Sequence, residues 1–474
     1  MSLSLRHRAA LVALLCCALA GCAAPPPRPN VLVVLVDTLR PDRLGAYGNQ
    51  RQLTPFLDEL AARSTVFGNA YAQSSWTNPS VASLFTSRYQ SQHRVTSFGS
   101  VLAADEQTLA EVLRQHGYAT AAFSANFLLQ PKLGFDQGFD VYKAMSRPGV
   151  GAVTGKPKLL KARAETINQA VLGWLDGRQN PAQPAFLYVH YMEPHAPYDP
   201  PADALARAFG ATPQPDLQRI NDFMEMPGFT ADDEVAAAAR LYYDAEVTAL
   251  DASLRALFAG LEQRGFLRDA VVVLLADHGE ELKEHGLLGH HQTLYEEVIR
   301  IPLMIQMPGQ TTRQDIAAPV ETLDIAPTLL ARLGIEAPAS FVGVSLDRKL
   351  PGAAPLGLRQ RLHAWLSPPA APTPRPVYSE LIKDPGTLRL SQHERAAIDG
   401  GNKAIADVDG QTAYYDLQRD PGETNRDGVA AAPRGVLDRA LAALRRLADG
   451  GDRVPGGGLD EQTKERMRAL GYAE

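Results

Sequence analysis

Cysteine is scarce in this chain of 474 residues, which has three: Cys16, Cys17 and Cys22. Two lie inside an apolar N-terminal segment with the layout of a removable leader, and the third lies at its end. A mature chain beginning at residue 22 would keep one cysteine, which excludes a disulfide within it. With 45% hydrophobic and 21% charged residues, the rest has the balance of an ordinary globular protein.

The sequence also lacks any run of basic residues. Acidic side chains number 53 against 47 basic ones, which gives a formal net charge of −6. An acidic chain without a basic cluster binds polyanions poorly, so we expect no nucleic-acid partner. Any positive charge that the function requires must then come from a bound metal ion.

The first 29 residues predict export and attachment to a membrane. An Arg-His-Arg triplet at 6–8 precedes the apolar run 9–20, which is too short to span a bilayer and has the order of an export signal. The run ends in Leu19-Ala20-Gly21-Cys22, which resembles the lipobox of bacterial lipoproteins. The alternative is an apolar signal with an incidental cysteine.

The lipobox resemblance implies a signal peptide over 1–21, a lipid on Cys22 and a tether over 22–29. No later segment is long and apolar enough to cross a membrane, so we expect the chain to sit on the membrane without spanning it. The implied location is the bacterial cell envelope, with the protein lipid-anchored and facing the periplasm or the exterior.

The main body alternates buried strands with helices. Continuous β-branched and aliphatic runs, typical of strands covered on both faces of a parallel sheet, occur at 31–36, 119–123, 186–189, 271–276 and 302–307. Helical patterns cover 55–63, 107–116, 161–175, 233–263 and 324–333. This alternation predicts an α/β fold with a doubly wound, mostly parallel sheet and helices on both faces.

Composition divides the remainder into loops and a second unit. Residues 145–158 and 200–232 are rich in Gly, Pro, Lys, Asp and Ala and are interpreted as insertions, and 351–376 as a linker. Short strand-like pieces with tight turns follow, and then a helix near 435–447. We therefore predict a catalytic domain over 30–350 and a small antiparallel α+β subdomain over 377–474.

Two of the predicted strands end in acids. Asp37 follows the run 31–36, and Asp277-His278 follows the run 271–276. Open parallel sheets bind ligands beyond the carboxyl ends of their strands, and carboxylates that converge there need a cation. Two aspartates and an imidazole suit a divalent ion, with zinc or manganese favoured over calcium. Either aspartate alone is compatible with a simple cap, and the pair is what favours a metal.

The segment around Thr77 has the features of an anion site. Pro79 belongs in the first turn of a helix, so Thr77 is predicted just ahead of a helix start, where N–H groups and the helix dipole favour phosphate or sulfate. A hydroxyl there, beside a metal, can ionise and attack an ester. A threonine at such a position is by itself more often an N-cap, so the prediction depends on the two strand-end acids.

An ordered set of motifs resembles the sulfatase family of the alkaline phosphatase superfamily. The stretch 36–45 resembles its opening, 77–86 its nucleophile segment and 277–280 its second metal strand. Further matches are Glu284-His285-Gly286, Tyr295-Glu296-Glu297, Arg300-Ile301-Pro302-Leu303, Tyr415-Asp416-Leu417, Asp420-Pro421-Gly422-Glu423 and Leu470-Gly471-Tyr472. The similarity spans nearly all of 29–474 in order and implies an alkaline-phosphatase-like fold.

The resemblance also implies roles for single residues. The implied metal ligands are Asp37, Asp277, His278 and the nucleophile Thr77. A histidine of the segment 190–195 is implied to meet the substrate. We favour His195 as the general acid, because a loop just past a strand can reach the site, and we interpret His190 as a packing residue. Among the three histidines at 285–291 we choose His290 as a further catalytic residue.

The chain departs from the family where sulfate is handled. Sulfatases convert a cysteine or serine into formylglycine, and Thr77 cannot yield that aldehyde. The family arginine four residues later is Val81 here, and the glycine after Thr86 is Ser87. The family's Gly-Lys-Trp-His run falls on 124–127, so its lysine and histidine are missing. We therefore predict that the chain does not use formylglycine.

These observations predict a metal-dependent hydrolase that cleaves phosphate esters, and less readily sulfate esters, through a threonine nucleophile. One divalent ion is expected, and Glu193, His195 or His290 would permit a second. The substrate class is a small-molecule, lipid or glycan ester. Two alternatives stay open: a phosphoethanolamine- or phosphoglycerol-type transferase acting on envelope lipids or glycans, and a non-catalytic binding lipoprotein.

Overall fold

The computed structural model describes residues 28–150, 157–210, 214–224, 232–352, 375–382 and 393–448. The predicted signal peptide, Cys22, most of the tether and linker, and Leu470-Gly471-Tyr472 lie outside these ranges. Within them, no helix combines the length and apolar character needed to cross a membrane.

The strands are β1 Asn30–Val36, β2 Thr65–Tyr71, β3 Ala119–Ser124, β4 Val141–Ala144, β5 Ser146–Val150, β6 Pro157–Lys161, β7 Ala185–Tyr191, β8 Ala270–Ala276, β9 Glu281–Leu282, β10 Leu288–Gly289, β11 Arg300–Gln306, β12 Gln314–Ile316, β13 Val320–Glu321, β14 Val377–Ile382, β15 His393–Asp399, β16 Asn402–Ala406 and β17 Thr412–Asp416. The α-helices are α1 Pro55–Ala61, α2 Thr77–Thr86, α3 Gln90–His93, α4 Leu109–Gln115, α5 Ala164–Asp176, α6 Ala202–Phe209, α7 Leu217–Met224, α8 Asp233–Gln263, α9 Glu296–Ile299, α10 Ile325–Arg332 and α11 Ala431–Ala448. Short 3-10 helices cover Pro41–Arg43, Gly45–Tyr47, Pro131–Leu133, Thr322–Asp324 and Asp347–Lys349.

The main sheet has nine strands in the order β12-β2-β11-β8-β1-β7-β3-β4, with β13 beside β2. The central pairs β8–β1, β1–β7 and β7–β3 are parallel, and β11 runs antiparallel to both of its neighbours. The central strands β1, β7 and β8 are almost wholly buried, as continuous apolar runs require in a covered sheet. The predicted mostly parallel α/β fold is confirmed.

Two predicted insertions contain regular structure. Residues 146–150 and 157–161 pair as the antiparallel strands β5 and β6, and the segment 200–232 contains α6 and α7. The helix α6 packs against α8 through Phe209, whose ring centroid lies 4.9 Å from that of Tyr242. The interpretation of both segments as loops is therefore wrong in part. Their Gly and Pro content indicates loops, but tertiary packing stabilises short strands and helices there.

The C-terminal sheet is a separate antiparallel unit. It has four strands in the order β14-β15-β16-β17, as the short strand-like pieces predicted. The helix α11 covers it, with Leu437 and Leu441 packed among alanines of β15 and β16. The strand β14 joins this sheet to the catalytic domain, since Glu380 N donates to Gln73 O at 2.8 Å.

Candidate active site

Parallel pairing of three strands brings two acids and a histidine together at one edge of the main sheet. Val36 lies opposite Ala276 in the β1–β8 pair, so Asp37 and Asp277 follow side by side. On the other side of β1, His190 lies opposite Leu35. Ligand atoms of Asp37, His190 and Asp277 all lie within 4.8 Å of one another, and all three residues are buried.

The chemistry of this cluster fits a divalent cation. Asp37 Oδ1 and Asp277 Oδ2 are buried and have no hydrogen-bond partner among the described residues. Unpaired carboxylate oxygens in a protein interior are costly unless a cation neutralises them. Carboxylates together with imidazole are a ligand set that suits zinc or manganese.

His278, a predicted ligand, faces the same space. Its Nε2 lies 3.5 Å from Asp277 Oδ2 and 3.7 Å from Asp37 Oδ1. Its Nδ1 lies 2.9 Å from Gly279 O and donates to that carbonyl. In the neutral ring this hydrogen bond leaves the Nε2 lone pair free to coordinate a metal.

His190, which the sequence alone presents as a packing residue, instead borders the two acids. Its Nε2 lies 3.2 Å from Asp37 Oδ2, and its Nδ1 lies 3.0 Å from the Tyr188 hydroxyl. The ring is fully buried within β7. Nothing local in the sequence distinguishes it from a core histidine, because its proximity to Asp37 depends on which strand lies beside β1.

The two aspartates differ in acidity. Burial favours the neutral form of Asp37, but the hydrogen bond and charge of His190 and the charges of neighbouring histidines outweigh it and hold its pKa well below the usual range. Burial, followed by the negative charge of Asp37, raises the pKa of Asp277 to about 6. Without a cation, the pair therefore carries a single negative charge below about pH 6.

The predicted nucleophile borders this cluster. The helix α2 begins at Thr77 itself and Pro79 is its third residue, so the prediction that Thr77 precedes the helix was off by one residue. Thr77 Oγ1 lies 3.3 Å from His278 Nε2 and 3.5 Å from Asp37 Oδ2. The first N–H groups of a helix lack intrahelical acceptors, so this hydroxyl lies at an electropositive helix end.

Asn126 is a site residue that we did not predict. Its Nδ2 donates to Asp37 Oδ2 at 2.7 Å and lies 3.4 Å from Thr77 Oγ1. Its Oδ1 accepts from Leu128 N at 2.8 Å, which orients the amide so that its N–H groups face the site. Because Asn126 follows β3, a parallel strand ending at the same sheet edge, its position after a buried strand was the available signal.

The predicted histidines form a row next to the cluster. The ring centroid of His290 lies 4.6 Å from that of His278 and 5.0 Å from that of His195. His290 Nδ1 lies 2.8 Å from Glu280 Oε1. Burial lowers the pKa of His195 to about 4, and burial raises the pKa of Glu280 to about 7.

Glu193, considered as a ligand of a second ion, makes a different contact. Its Oε1 accepts from Ala164 N at 3.1 Å. Burial raises its pKa to about 7, against the opposing effect of Lys161. Among the described residues, Glu193 does not belong to the cluster of Asp37, His190 and Asp277.

Comparisons with known proteins agree with this fold. A family profile described as Sulfatase matches residues 29–335. Arylsulfatase K of Bos taurus is 27% identical, over 88% of this chain and 82% of its own length. The phosphonate monoester hydrolase of Agrobacterium radiobacter superposes with a TM-score of 0.67 at 21% identity, covering 89% of this chain and 96% of its own. BT4656, solved with its substrate D-glucosamine-2-N,6-O-disulfate, gives a TM-score of 0.69 at 21% identity, covering 90% and 99%.

Proposed function

Because the chain belongs to the sulfatase family of ester hydrolases, we propose that it cleaves phosphate esters through Thr77 with the help of one bound divalent cation. The observation that carries this proposal is the threonine hydroxyl at a helix N-terminus, 3.5 Å from Asp37 Oδ2 in a buried carboxylate cluster. Hydrolysis of sulfate esters is the weaker candidate, because threonine cannot become formylglycine.

The residues proposed to hold the cation are Asp37, Asp277, His278 and His190. When bound, a divalent cation would neutralise the two carboxylates and polarise an ester oxygen of the substrate. Asp37 Oδ1 and Asp277 Oδ2 accept no hydrogen bond among the described residues and supply the negative charge that this assignment requires. Zinc and manganese remain the favoured ions, as the mixed oxygen and nitrogen ligand set suggests.

In the proposed reaction, Thr77 Oγ1 attacks phosphorus in line with the leaving oxygen. The bond from Oγ1 to phosphorus forms as the bond to the leaving oxygen breaks, which yields a phosphothreonine. Thr77 Oγ1 donates to Asp37 Oδ2 in the structure. Because the low pKa of Asp37 makes this carboxylate a weak base, the threonine proton is released to solvent, and a bound cation would favour that loss. The Asn126 amide, 3.4 Å from Oγ1, donates to the oxygens that gain charge. A water then attacks phosphorus, the bond from phosphorus to Oγ1 breaks, and a proton of that water returns to the threonine oxygen. The product is phosphate from a monoester or a phosphate monoester from a diester.

The leaving oxygen needs a proton, and the row of histidines offers it. Burial lowers the pKa of His195 to about 4. Its ring is therefore neutral at pH 7 and is a poor proton donor. His290 pairs with Glu280 through Nδ1 at 2.8 Å, and a carboxylate partner stabilises an imidazolium. We therefore propose His290 as the proton donor, with His195 beside it as a hydrogen-bonding group for the leaving side of the substrate.

The charge around Thr77 favours an ester that carries one negative charge. No lysine or arginine in the described parts of the chain hydrogen-bonds or pairs with Thr77, Asp37 or Asp277. One divalent cation would balance the two aspartates and leave little excess positive charge for a dianion. We therefore expect phosphodiesters and phosphonate monoesters to react faster than phosphate monoesters.

The decisive experiment compares three nitrophenyl esters: the phosphate monoester, the bis-nitrophenyl phosphodiester and the sulfate. Replacing Thr77 with Ala should lower kcat/KM for the diester about 1,000-fold or more, which is the loss of a covalent nucleophile. Thr77→Ser is the matched control and should retain turnover, because it keeps the hydroxyl. Mass spectrometry of the quenched wild-type reaction should show one group added on Thr77, a phosphoryl group with the monoester and a nitrophenylphosphoryl group with the diester. Equal rates for the parent and Thr77→Ala would refute the nucleophile.

We also propose that Cys22 carries a lipid that holds the protein on the bacterial envelope, on the basis of the Leu19-Ala20-Gly21-Cys22 motif. In a bacterial host, replacing Cys22 with Ala should move the protein from the membrane fraction to the soluble one. Continued sedimentation of the variant with membranes would contradict the anchor.

A further inference from the structure

Two motifs of the sequence have no part in the chemistry above, and they contact each other. Glu296 belongs to Tyr295-Glu296-Glu297 at the start of α9, and Glu423 ends Asp420-Pro421-Gly422-Glu423 after the C-terminal sheet. Glu296 N donates to Glu423 Oε2 at 2.6 Å. Lys403 of β16 lies between them, with Nζ 2.8 Å from Glu423 Oε1 and 3.2 Å from Glu296 Oε1.

The three charged side chains of this junction are almost completely buried. The side chains of Lys403 and Glu423 are 0% exposed and that of Glu296 is 14% exposed. A buried ammonium between two carboxylates is held in one geometry, because any displacement leaves an uncompensated charge away from water. The junction therefore fixes α9 of the catalytic domain relative to the C-terminal sheet.

A second contact supports the same segment. The His285 ring stacks on Tyr295, with ring centroids 3.6 Å apart and planes 11° from parallel. His285 Nε2 lies 3.1 Å from Gly422 O, and its Nδ1 lies 2.6 Å from Glu297 Oε1. Since both ring nitrogens face oxygen acceptors, the imidazolium form is favoured, and it links the loop 420–423 to the start of α9.

The supported segment reaches both halves of the active site. His291 N donates to Ser75 O at 2.9 Å, two residues before Thr77. At the other end, Gly279 N donates to Val298 O at 2.8 Å and Glu280 N to Glu297 O at 3.0 Å. Glu297 O packs so closely on Gly279 that a Cβ there would lie 2.0 Å from it. Residues 290–298 thus hold the segment before Thr77 and the segment after β8, which contains Asp277 and His278, at a fixed separation.

We propose that Lys403, together with Glu423, is a positioning residue of the active site: the C-terminal sheet holds residues 290–298, and these set the separation between Thr77 and Asp277-His278. His290 lies within the same segment, so its approach to His278 depends on the same junction. The C-terminal subdomain would then have a role in catalysis, although none of its described residues belongs to the carboxylate cluster.

The test compares Lys403→Met and the milder Glu423→Gln with a matched control, Arg395→Met. Arg395 Nε lies 3.2 Å from Glu380 Oε1, and the Glu380 side chain is 0% exposed. Its loss therefore also leaves a buried carboxylate without its ion pair in the same sheet. Glu380 contacts Ser91 N at 2.9 Å and not the segment 290–298.

Two measurements separate positioning from general loss of stability. Hydrogen exchange should accelerate at residues 290–298 and 75–77 in both junction variants and stay at the parent rate there in Arg395→Met. In the diester assay, which rests on the proposed function, kcat should fall about 10- to 100-fold in the junction variants, as when a group supporting a metal ligand is removed. KM should change less than kcat, and Arg395→Met should stay within about threefold of the parent.

Parental exchange rates at 290–298 in both junction variants would overturn the proposal, as would equal losses of kcat in the junction variants and the control. If Lys403→Met does not fold, Glu423→Gln decides. If the parent hydrolyses none of the esters, the proposed phosphate-ester activity fails, while the exchange measurement still tests the junction.

Discussion

Asp37 with Asp277, and Glu296 with Glu423, are two pairs of carboxylates removed from water in the same protein. In the second pair the chain supplies its own counter-charge, Lys403, within 3.2 Å of both acids. In the first pair, Asp37 Oδ1 and Asp277 Oδ2 face His278 Nε2 at 3.7 and 3.5 Å, and the described ranges contain no lysine or arginine paired with either aspartate. The two pairs share their chemistry and differ in what balances it.

This difference teaches how to tell a structural cluster from a binding one. Desolvated carboxylates cost several kcal/mol unless paired, so a fold that serves only stability places a lysine or arginine between them. A fold that offers them imidazole and amide partners in place of a lysine or arginine keeps part of that cost, and a bound cation offsets it. The contrast can be tested by removing a charge from the aspartate pair.

The largest effect is expected from Asp277→Asn. This variant should lose the bound cation and lower kcat/KM for the diester on the order of 1,000-fold, because several kcal/mol of transition-state stabilisation depend on the metal. Metal content by elemental analysis and kcat/KM are the measurements. If the variant keeps one ion per chain and the parental activity, Asp37 and Asp277 do not form the cation site that distinguishes them from Glu296 and Glu423.

A smaller, opposite effect is expected on the stability of the metal-free protein. The pKa of Asp277 is about 6 in the folded chain against a reference of 3.8, so between these values the folded state binds more protons than the unfolded one. Its contribution to stability therefore decreases as pH rises through this window and is unfavourable above it. After chelation at pH 7.5, Asp277→Asn should melt about 2 °C or more above the parent, equivalent to about 1 kcal/mol.

The advantage of Asp277→Asn should vanish near pH 4, where the parent carboxyl is already protonated. Adding zinc or manganese at pH 7.5 should reverse the order, because the ion stabilises only the protein that binds it. A variant that melts below the metal-free parent at every pH would contradict the assigned direction of the pKa shift.

The smallest effect concerns substrate charge. Asn126→Lys places an ammonium next to Thr77, where the described chain has no lysine or arginine. It should raise the ratio of monoester to diester kcat/KM about tenfold, equivalent to about 1.4 kcal/mol. Asn126→Gln is the matched neutral control and should leave that ratio near the parent value. An unchanged ratio in Asn126→Lys would show that the local charge does not determine the substrate preference.

The sequence was informative where local pattern and final position coincide. Buried apolar runs identified the central strands, and because parallel strands end at one edge, Asp37 and Asp277 were predicted to meet. His190 and Asn126 were not found, since one resembles a core histidine and the other a loop residue. Both approach Asp37 through the strand order β8-β1-β7-β3, which no periodicity contains.

The amino-acid sequence by itself determined which segments are strands, which of them end in acids, and that a threonine starts a helix nearby. These properties depend on the alternation and burial of neighbouring side chains, so they can be read along the chain. Only the tertiary structure decided that His190 and Asn126 join the acids and that Lys403 reaches Glu296. Such contacts link residues far apart in sequence. They depend on the order of the strands in the main sheet and on how the C-terminal sheet packs against the catalytic domain.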